Sequence, residues 1–296
     1  MKRPRRPTVT ARRSQRSRVQ TALVILKLGG ELLEEPQRLK SIARAIARVA
    51  RTRPIAVVHG GGREIDAALL QASIPKQQVD GLRITDEATL QVVVAVLAGS
   101  INTRLVATVN AAGGRAVGLT GADSGVGLVK AAPPHRATNG DLVDLGHVGE
   151  PIAASAAPLV ELLCGDGFVP VIACIGAARD GRLFNVNADT LAGSLAARVG
   201  AARLVVAGAT AGVLDAESKT IDVLDTSGVE RMVGSGTATA GMIAKLRACT
   251  RAIDGDVKDV FIADGREPAR LARLLTGQAR KHGAWTRIVA TASNGK

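Results

Sequence analysis

From residue 21 onward, short apolar runs alternate with segments whose apolar residues recur every three or four positions. Thr21–Leu28, Ile55–Val58, Phe168–Ile175, Arg203–Ala207 and Val260–Ala263 are short and rich in Val and Ile. That is the pattern of strands buried on both faces. Between them, Pro36–Arg51, Glu64–Ala72, Asp86–Ser100, Pro158–Leu163, Asn187–Val199, Thr239–Ile253 and Pro268–Leu275 carry helical spacing. In the first of these, Leu39, Ile42, Ala43, Ile46 and Val49 fall on one face. Val79–Thr85 reads as extended, and Asp180–Arg182 as the turn of a hairpin. The alternation predicts an α/β fold: a mostly parallel central sheet covered by helices on both faces, a three-layer αβα sandwich. Such sheets bind ligands beyond the carboxyl ends of their strands.

Composition narrows the class. The chain of 296 residues is 46% apolar, enough for a large core, which excludes disorder over most of it. No uninterrupted apolar run approaches the roughly 18 residues of a membrane span, so no membrane partner is expected. Cys164, Cys174 and Cys249 form no Cys-x-x-Cys, and the four histidines form no His-x-x-x-His. No disulfide framework and no side-chain metal site is expected, and a reducing, cytoplasmic setting follows. Aromatic residues are 1% of the chain, which argues against stacking on nucleic acid. The formal charge of +13 is largely a tail property, because residues 1–20 hold eight Lys/Arg and no acid. The remainder has 31 basic against 26 acidic residues. The tail reads as a solvated extension; a transit peptide, an oligomerisation arm or a weak polyanion contact are its other readings.

The glycine clusters carry the chemistry. No P-loop motif is present, and Gly234-Ser235-Gly236 lacks the third glycine of a dinucleotide fingerprint, since Thr239 stands there. His59-Gly60-Gly61-Gly62 resembles a lipase oxyanion loop, but no Gly-x-Ser-x-Gly accompanies it. What remains is Lys27-Leu28-Gly29-Gly30 after the first strand and Gly60-Gly61-Gly62 after the second. Glycine-rich strand ends that open into helices let backbone N–H groups approach an anion closely. Two of them side by side predict a phosphoryl cradle. Taken singly, Lys27 reads as a strand-end lysine, Lys245 as a solvated helix residue, Asp189 as a dipole partner and His59 as structural.

With both loops in place, the chain resembles the amino acid kinase family, and later segments resemble its acetylglutamate kinase branch. These are Gly81-Leu82-Arg83-Ile84-Thr85-Asp86, Leu145-Gly146-His147-Val148-Gly149-Glu150, Asn185-Val186-Asn187-Ala188-Asp189 and Gly241-Met242-Ile243-Ala244-Lys245. The resemblance spans residues 22 to 275 and implies a carbamate kinase-like fold. It implies an N-lobe of about 21–180 for the acceptor and a C-lobe of about 181–296 for the nucleotide. It further implies ATP-dependent phosphorylation of the γ-carboxylate of N-acetyl-L-glutamate, with Mg²⁺ on the phosphates. Lys27 and Lys245 would stabilise the moving phosphoryl group, and Asp189 would hold both lysines. Gly29, Gly30 and Gly61 would give N–H groups to phosphate, with further nucleotide contacts at Thr210, Gly212 and Thr239. Gly61, Gly62, Arg83 and Asn185 would hold the acyl amino acid. A sister kinase for acetyl-aminoadipate or succinyl-glutamate is the alternative substrate reading, and a catalytically weakened regulatory homologue the third. The resemblance also implies a homodimer or homohexamer, with arginine or a regulatory protein as candidate effector.

Three places depart from the family pattern. Ala207-Gly208-Ala209 stands where a Leu-Thr-Asp stretch is usual, so an acidic and a hydroxyl contact near the nucleotide are missing. Thr120-Gly121-Ala122-Asp123 lacks the usual lysine, and Trp285-Thr286 replaces a Gly-Thr pair of arginine-inhibited members.

Overall fold

A computed structural model describes residues 23–152, 157–278 and 285–292. The expectations for residues 1–20 lie outside the described residues.

Sixteen strands are formed among the described residues: β1 Val24–Leu28, β2 Ile55–His59, β3 Gln78–Val79, β4 Leu82–Arg83, β5 Ala116–Thr120, β6 Val129–Ala131, β7 His135–Arg136, β8 Leu142–Val143, β9 Gly149–Pro151, β10 Val169–Ala173, β11 Ile175–Ala177, β12 Leu183–Asn185, β13 Arg203–Gly208, β14 Val223–Asp225, β15 Asp259–Asp264 and β16 Trp285–Val289. Eight of them make one sheet in the order β14-β16-β15-β13-β1-β2-β10-β5. From β15 to β5 every pairing is parallel, and β16 joins β15 antiparallel. The remaining strands form short hairpins and ribbons outside this sheet.

β1 is buried at all five positions, and so is β2. A strand with no solvent face needs apolar cover on both sides, which explains its unbroken Val/Ile/Leu run. Helix Pro36–Ala50 packs between Asn102–Ala111 and Pro268–Thr276, while Ala188–Arg198 pairs with Ala240–Asp254. The first of these helices starts on Pro36 and is capped by the Glu35 carboxylate, which accepts from the amides of Gln37 and Arg38.

The helix expected over Asp86–Ser100 continues through a π-helical stretch, Ala95–Ile101, into Asn102–Ala111. The resulting 25-residue helix contains an 18-residue window of mean hydropathy 1.8 and is, by length and composition, long and apolar enough to cross a membrane. In the fold its Leu90, Val93, Leu97, Ile101, Leu105 and Val109 are buried as part of the core.

Candidate active site

The site begins with strand order. β1 lies between β13 and β2, so the chain leaves β1 toward one side and returns to it from the other. This is the point where an open parallel sheet forms a crevice beyond its carboxyl ends. The loops that meet there follow β1 (Gly29–Glu31), β2 (Gly60–Gly62) and β13 (Ala209–Gly212).

Lys27, one residue before the end of β1, pairs in register with Val206 on one side and Val58 on the other. It is 5% exposed, an isolated cation in an apolar strand. Asp189 stands in the first turn of helix Ala188–Arg198, which Asn187 caps by accepting from the amide of Thr190. Lys245 stands in the second turn of helix Ala240–Asp254, capped by Thr239. The three converge: Lys27 Nζ is 2.8 Å from Asp189 Oδ1, and Lys245 Nζ is 3.3 Å from Asp189 Oδ2. Each carboxylate oxygen thus serves one ammonium. Burial alone would raise the Asp189 pKa, but the charges of Lys27 and Lys245, with their hydrogen bonds, hold it below the ordinary carboxylate value. The aspartate therefore stays charged and fixes both cations.

The two glycine loops are in backbone contact. A Cβ on Gly30 would lie 2.7 Å from Gly61 Cα, which only glycine at that position permits. Gly62 opens helix Gly62–Gln71, with Gly61 as its cap, so the amides there have no intrahelical acceptor. Gly29 differs from expectation: its N–H donates to the Ala207 carbonyl at 2.9 Å, extending the β1–β13 ladder. It is therefore not a free donor for an anion.

On the β2 side, Arg83 is 9% exposed in its side chain and pairs through Nη2 with Asp66 Oδ1 and, at 3.5 Å, with the Gly62 carbonyl. Its Nη1 is buried with no partner. A buried guanidinium donor left unpaired is costly and marks a place where an acceptor belongs. Asn185 Nδ2 donates to Thr85 Oγ1 at 3.2 Å. The Leu145–Glu150 segment stitches these together: Thr85 N–H donates to Leu145 O, His147 N–H to Thr85 O, and Asn185 N–H to His147 O. That motif thus couples the arginine hairpin to Asn185.

On the β13 side, Thr210 lies exposed in the bend after the strand, Gly212 packs on Thr286 of β16, and the Thr239 hydroxyl is engaged as a helix cap. Sequence reasoning missed Asp66 and Thr85, which hold the arginine hairpin, and Glu31. The Glu31 carboxylate accepts from the Ala209 amide at 3.1 Å and lies against Gly29 and Gly208, beside the Lys245 side chain. A carboxylate from the β1 loop thus stands beside Gly208–Ala209. Among the described residues no cluster of three or more His, Cys, Asp or Glu can hold a metal ion. The three cysteines are free and buried, and burial pushes their thiols up, away from nucleophilic use.

The profile of the amino acid kinase family matches residues 22–264. An acetylglutamate kinase from Dinoroseobacter shibae is 39% identical over 270 residues, covering 90% of this chain and 89% of that one. One from Parvibaculum lavamentivorans is 41% identical over 262 residues, covering 86% and 85%. Among solved structures, N-acetylglutamate synthase from Neisseria gonorrhoeae superposes with TM-score 0.77 at 19% identity, covering 95% of this chain and 62% of that one. Carbamate kinase from Giardia lamblia superposes with TM-score 0.63 at 13% identity, covering 91% and 99%, a likeness of fold alone.

Proposed function

The chain belongs to the amino acid kinase family, and on that premise we propose that it uses ATP to phosphorylate the γ-carboxylate of N-acetyl-L-glutamate, a step of arginine biosynthesis. The observation that carries this reading is the pair of ammonium groups, one from each half of the chain, held on one buried carboxylate at the sheet's switch point.

Phosphoryl transfer needs positioning and charge neutralisation more than covalent help. Lys27 and Lys245 face the crevice from β1 and from the later helix, and would grip the moving phosphoryl group from two sides. Asp189 keeps their spacing fixed before and after transfer. The amides of Gly30 and Gly61 would receive phosphate oxygens. The acceptor is already a carboxylate, so no residue has to remove a proton from it. Arg83 Nη1, buried and unpartnered, suits the substrate's α-carboxylate, and Asn185, on β12, is tied to the same hairpin through Thr85. Mg²⁺ would arrive on the nucleotide's phosphates and screen their charge, because this chain offers no cage of its own among the described residues. Thr210, Gly212 and Thr239 would flank the nucleotide on the β13 side. The curated relatives at about 40% identity carry the acetylglutamate kinase name, and nothing among them favours a different acyl amino acid.

The test is ADP release, coupled to NADH oxidation, across N-acetyl-L-glutamate, N-acetyl-aminoadipate, N-succinyl-L-glutamate and free glutamate at equal concentration. The expected result is turnover highest with N-acetyl-L-glutamate. Preference for another acceptor, or turnover with none, overturns the reading. The dimeric or hexameric assembly implied by the resemblance is checked by light-scattering mass with and without residues 1–20.

A further inference from the structure

The Gly60–Gly62 loop rests on a buried polar chain that the reaction does not itself use. His59, the last residue of β2, is fully buried. Its Nε2 lies 3.1 Å from Asn102 Nδ2, and its Nδ1 lies 3.3 Å from the Gly60 carbonyl. Asn102 is the first residue after the π-helical stretch and is 5% exposed. Its amide nitrogen also faces two backbone carbonyls, Val171 O at 2.8 Å and Leu119 O at 3.3 Å. Carbonyls can only accept, so the amide is oriented with nitrogen toward all three partners; of its two protons one goes to Val171 O, the shortest contact, and the other lies between Leu119 O and His59 Nε2.

That orientation dictates the state of the imidazole. Facing a donor, His59 Nε2 must be the unprotonated nitrogen, so the proton sits on Nδ1 and points to Gly60 O. Burial, helped by the charge of Arg104, pushes the His59 pKa down to about 4, against the hydrogen bond to Gly60 that raises it. A neutral ring is what the hydrogen-bond chain requires. Two further contacts come from the same helix. Ile101 and Leu97 fill the space over Gly61, and Asn102 Oδ1 fills the space over Gly118 of β5. The π turn sets three side chains to work on one loop: Leu97 and Ile101 against Gly61, and Asn102 against His59. Short π segments inside α-helices frequently mark functional sites.

We propose that Asn102 is a positioning residue for the acceptor substrate: through the Nδ1–H tautomer of His59 it sets the Gly60–Gly61 peptide, and with it the direction of the Gly61 and Gly62 amides. This rests on the acceptor side of the site lying at that loop, as argued above. The peptide plane is the moving part. If the Gly60 carbonyl loses its partner, the plane can rotate, and the amides beyond it swing away from the crevice.

Two measurements test it. The first is made on the unmodified protein: ¹⁵N-labelled histidine signals at pH 7, with His59 assigned by its absence in His59→Gln. The expected spectrum is a neutral ring protonated on Nδ1. An Nε2–H tautomer or a protonated ring overturns the proposal without any variant having to fold. The second is Asn102→Leu, which keeps the shape and deletes the donor. KM for N-acetyl-L-glutamate should rise about tenfold, the ADP dissociation constant by calorimetry should stay within about twofold, and the His59 signal should lose its tautomer preference. Equal weakening of both ligands, or no change in KM, overturns the positioning role. Should the unmodified protein turn over no N-acetyl-L-glutamate, the functional reading fails and the acceptor role with it, while the histidine spectrum still decides whether Asn102 sets the His59 tautomer at the Gly60 carbonyl.

Discussion

Replacing Asp189 by Asn keeps the shape of the side chain and removes the one charge shared by Lys27 and Lys245. At an effective dielectric near 20, ammonium–carboxylate pairs at 2.8 and 3.3 Å attract by about 5–6 kcal/mol each before desolvation is counted. Burial of all three groups offsets much of that gain. Removing the aspartate's charge returns only its own share of the offset, because both ammonium groups stay in the site without a counter-ion. Breaking a buried pair in this way costs about 3–5 kcal/mol, which for a chain of this size lowers Tm by about 6–20 °C. Catalysis should suffer as well, with kcat falling by about 10²–10³ as the two cations lose their common anchor. The pH dependence gives the sharper readout. The native pKa of Asp189 lies below its unfolded value, so its contribution is fully present above about pH 4 and is lost as pH falls through the native value. Urea midpoints of the parent should therefore decline below about pH 4 more steeply than those of Asp189→Asn. An Asp189→Asn variant matching the parent in kcat, Tm and acid slope would refute the shared-anchor argument.

Lys27→Met and Lys245→Met should each lower kcat in the ADP-release assay by about 10²–10³; a variant with parental turnover would remove that lysine from the mechanism. Arg83→Lys should raise KM for N-acetyl-L-glutamate about tenfold with a smaller change in kcat, because an ammonium lacks the planar fork that holds Asp66 through Nη2 while Nη1 points elsewhere; an unchanged KM would leave Arg83 a structural residue only. His59→Gln should flatten the stability profile between pH 6.5 and 4. The depressed native pKa of His59, about 4, means its contribution is fully present above the unfolded value of 6.5 and is lost as pH falls toward 4. The effect is worth about 3 kcal/mol, read as urea midpoints of parent and variant, and parallel profiles would contradict the buried neutral ring. Glu31→Gln keeps an acceptor for the Ala209 amide but removes a negative charge from beside Lys245, so metal-free ADP should bind about threefold to fivefold tighter; unchanged or weaker binding by calorimetry would sink this.

Much of the scaffold was legible because one physical signal dominates it. A strand buried on both faces must be apolar throughout, and β1, β2, β10, β13 and β15 were found that way. The helices over Pro36–Ala50 and Ala240–Asp254 were legible from apolar spacing and caps. The helix beyond Ser100 was not, because Gly99-Ser100 reads as a stop. Packing of Ile101, Leu105 and Val109 on the core carries the helix past it through a π turn. β16 was not found either: it runs antiparallel at the far side of β15 with one face exposed, so its apolar signal is diluted. At the site, the convergence of Lys27, Asp189 and Lys245 was expected from the family resemblance, whereas several residues that hold the loops were not. Asp66, Thr85, Asn102 and Glu31 act through contacts to distant segments. Asn102 reaches Val171 and Glu31 reaches Ala209, pairings that no local pattern encodes.

The position of β1 explains why these two loops, among all the strand ends, form the crevice. A strand in mid-sheet normally has its following loop crowded by neighbouring crossovers. Where the chain turns to opposite sides from one strand, the crossovers diverge and the strand ends stay open. β1 is that strand here, with β2 reached on one side and β13 on the other. Lys27 therefore sits on the dividing line between a face built from the β2 loop, the arginine hairpin and Asn185, and a face built from the β13 loop and the Lys245 helix. A group passed from one ligand to another must cross that line. The one carboxylate that touches cations from both faces, Asp189, lies on the helix that packs beneath β1, β2 and β13 alike. The same topology that opens the crevice thus supplies the rigid support on which the two charges are set.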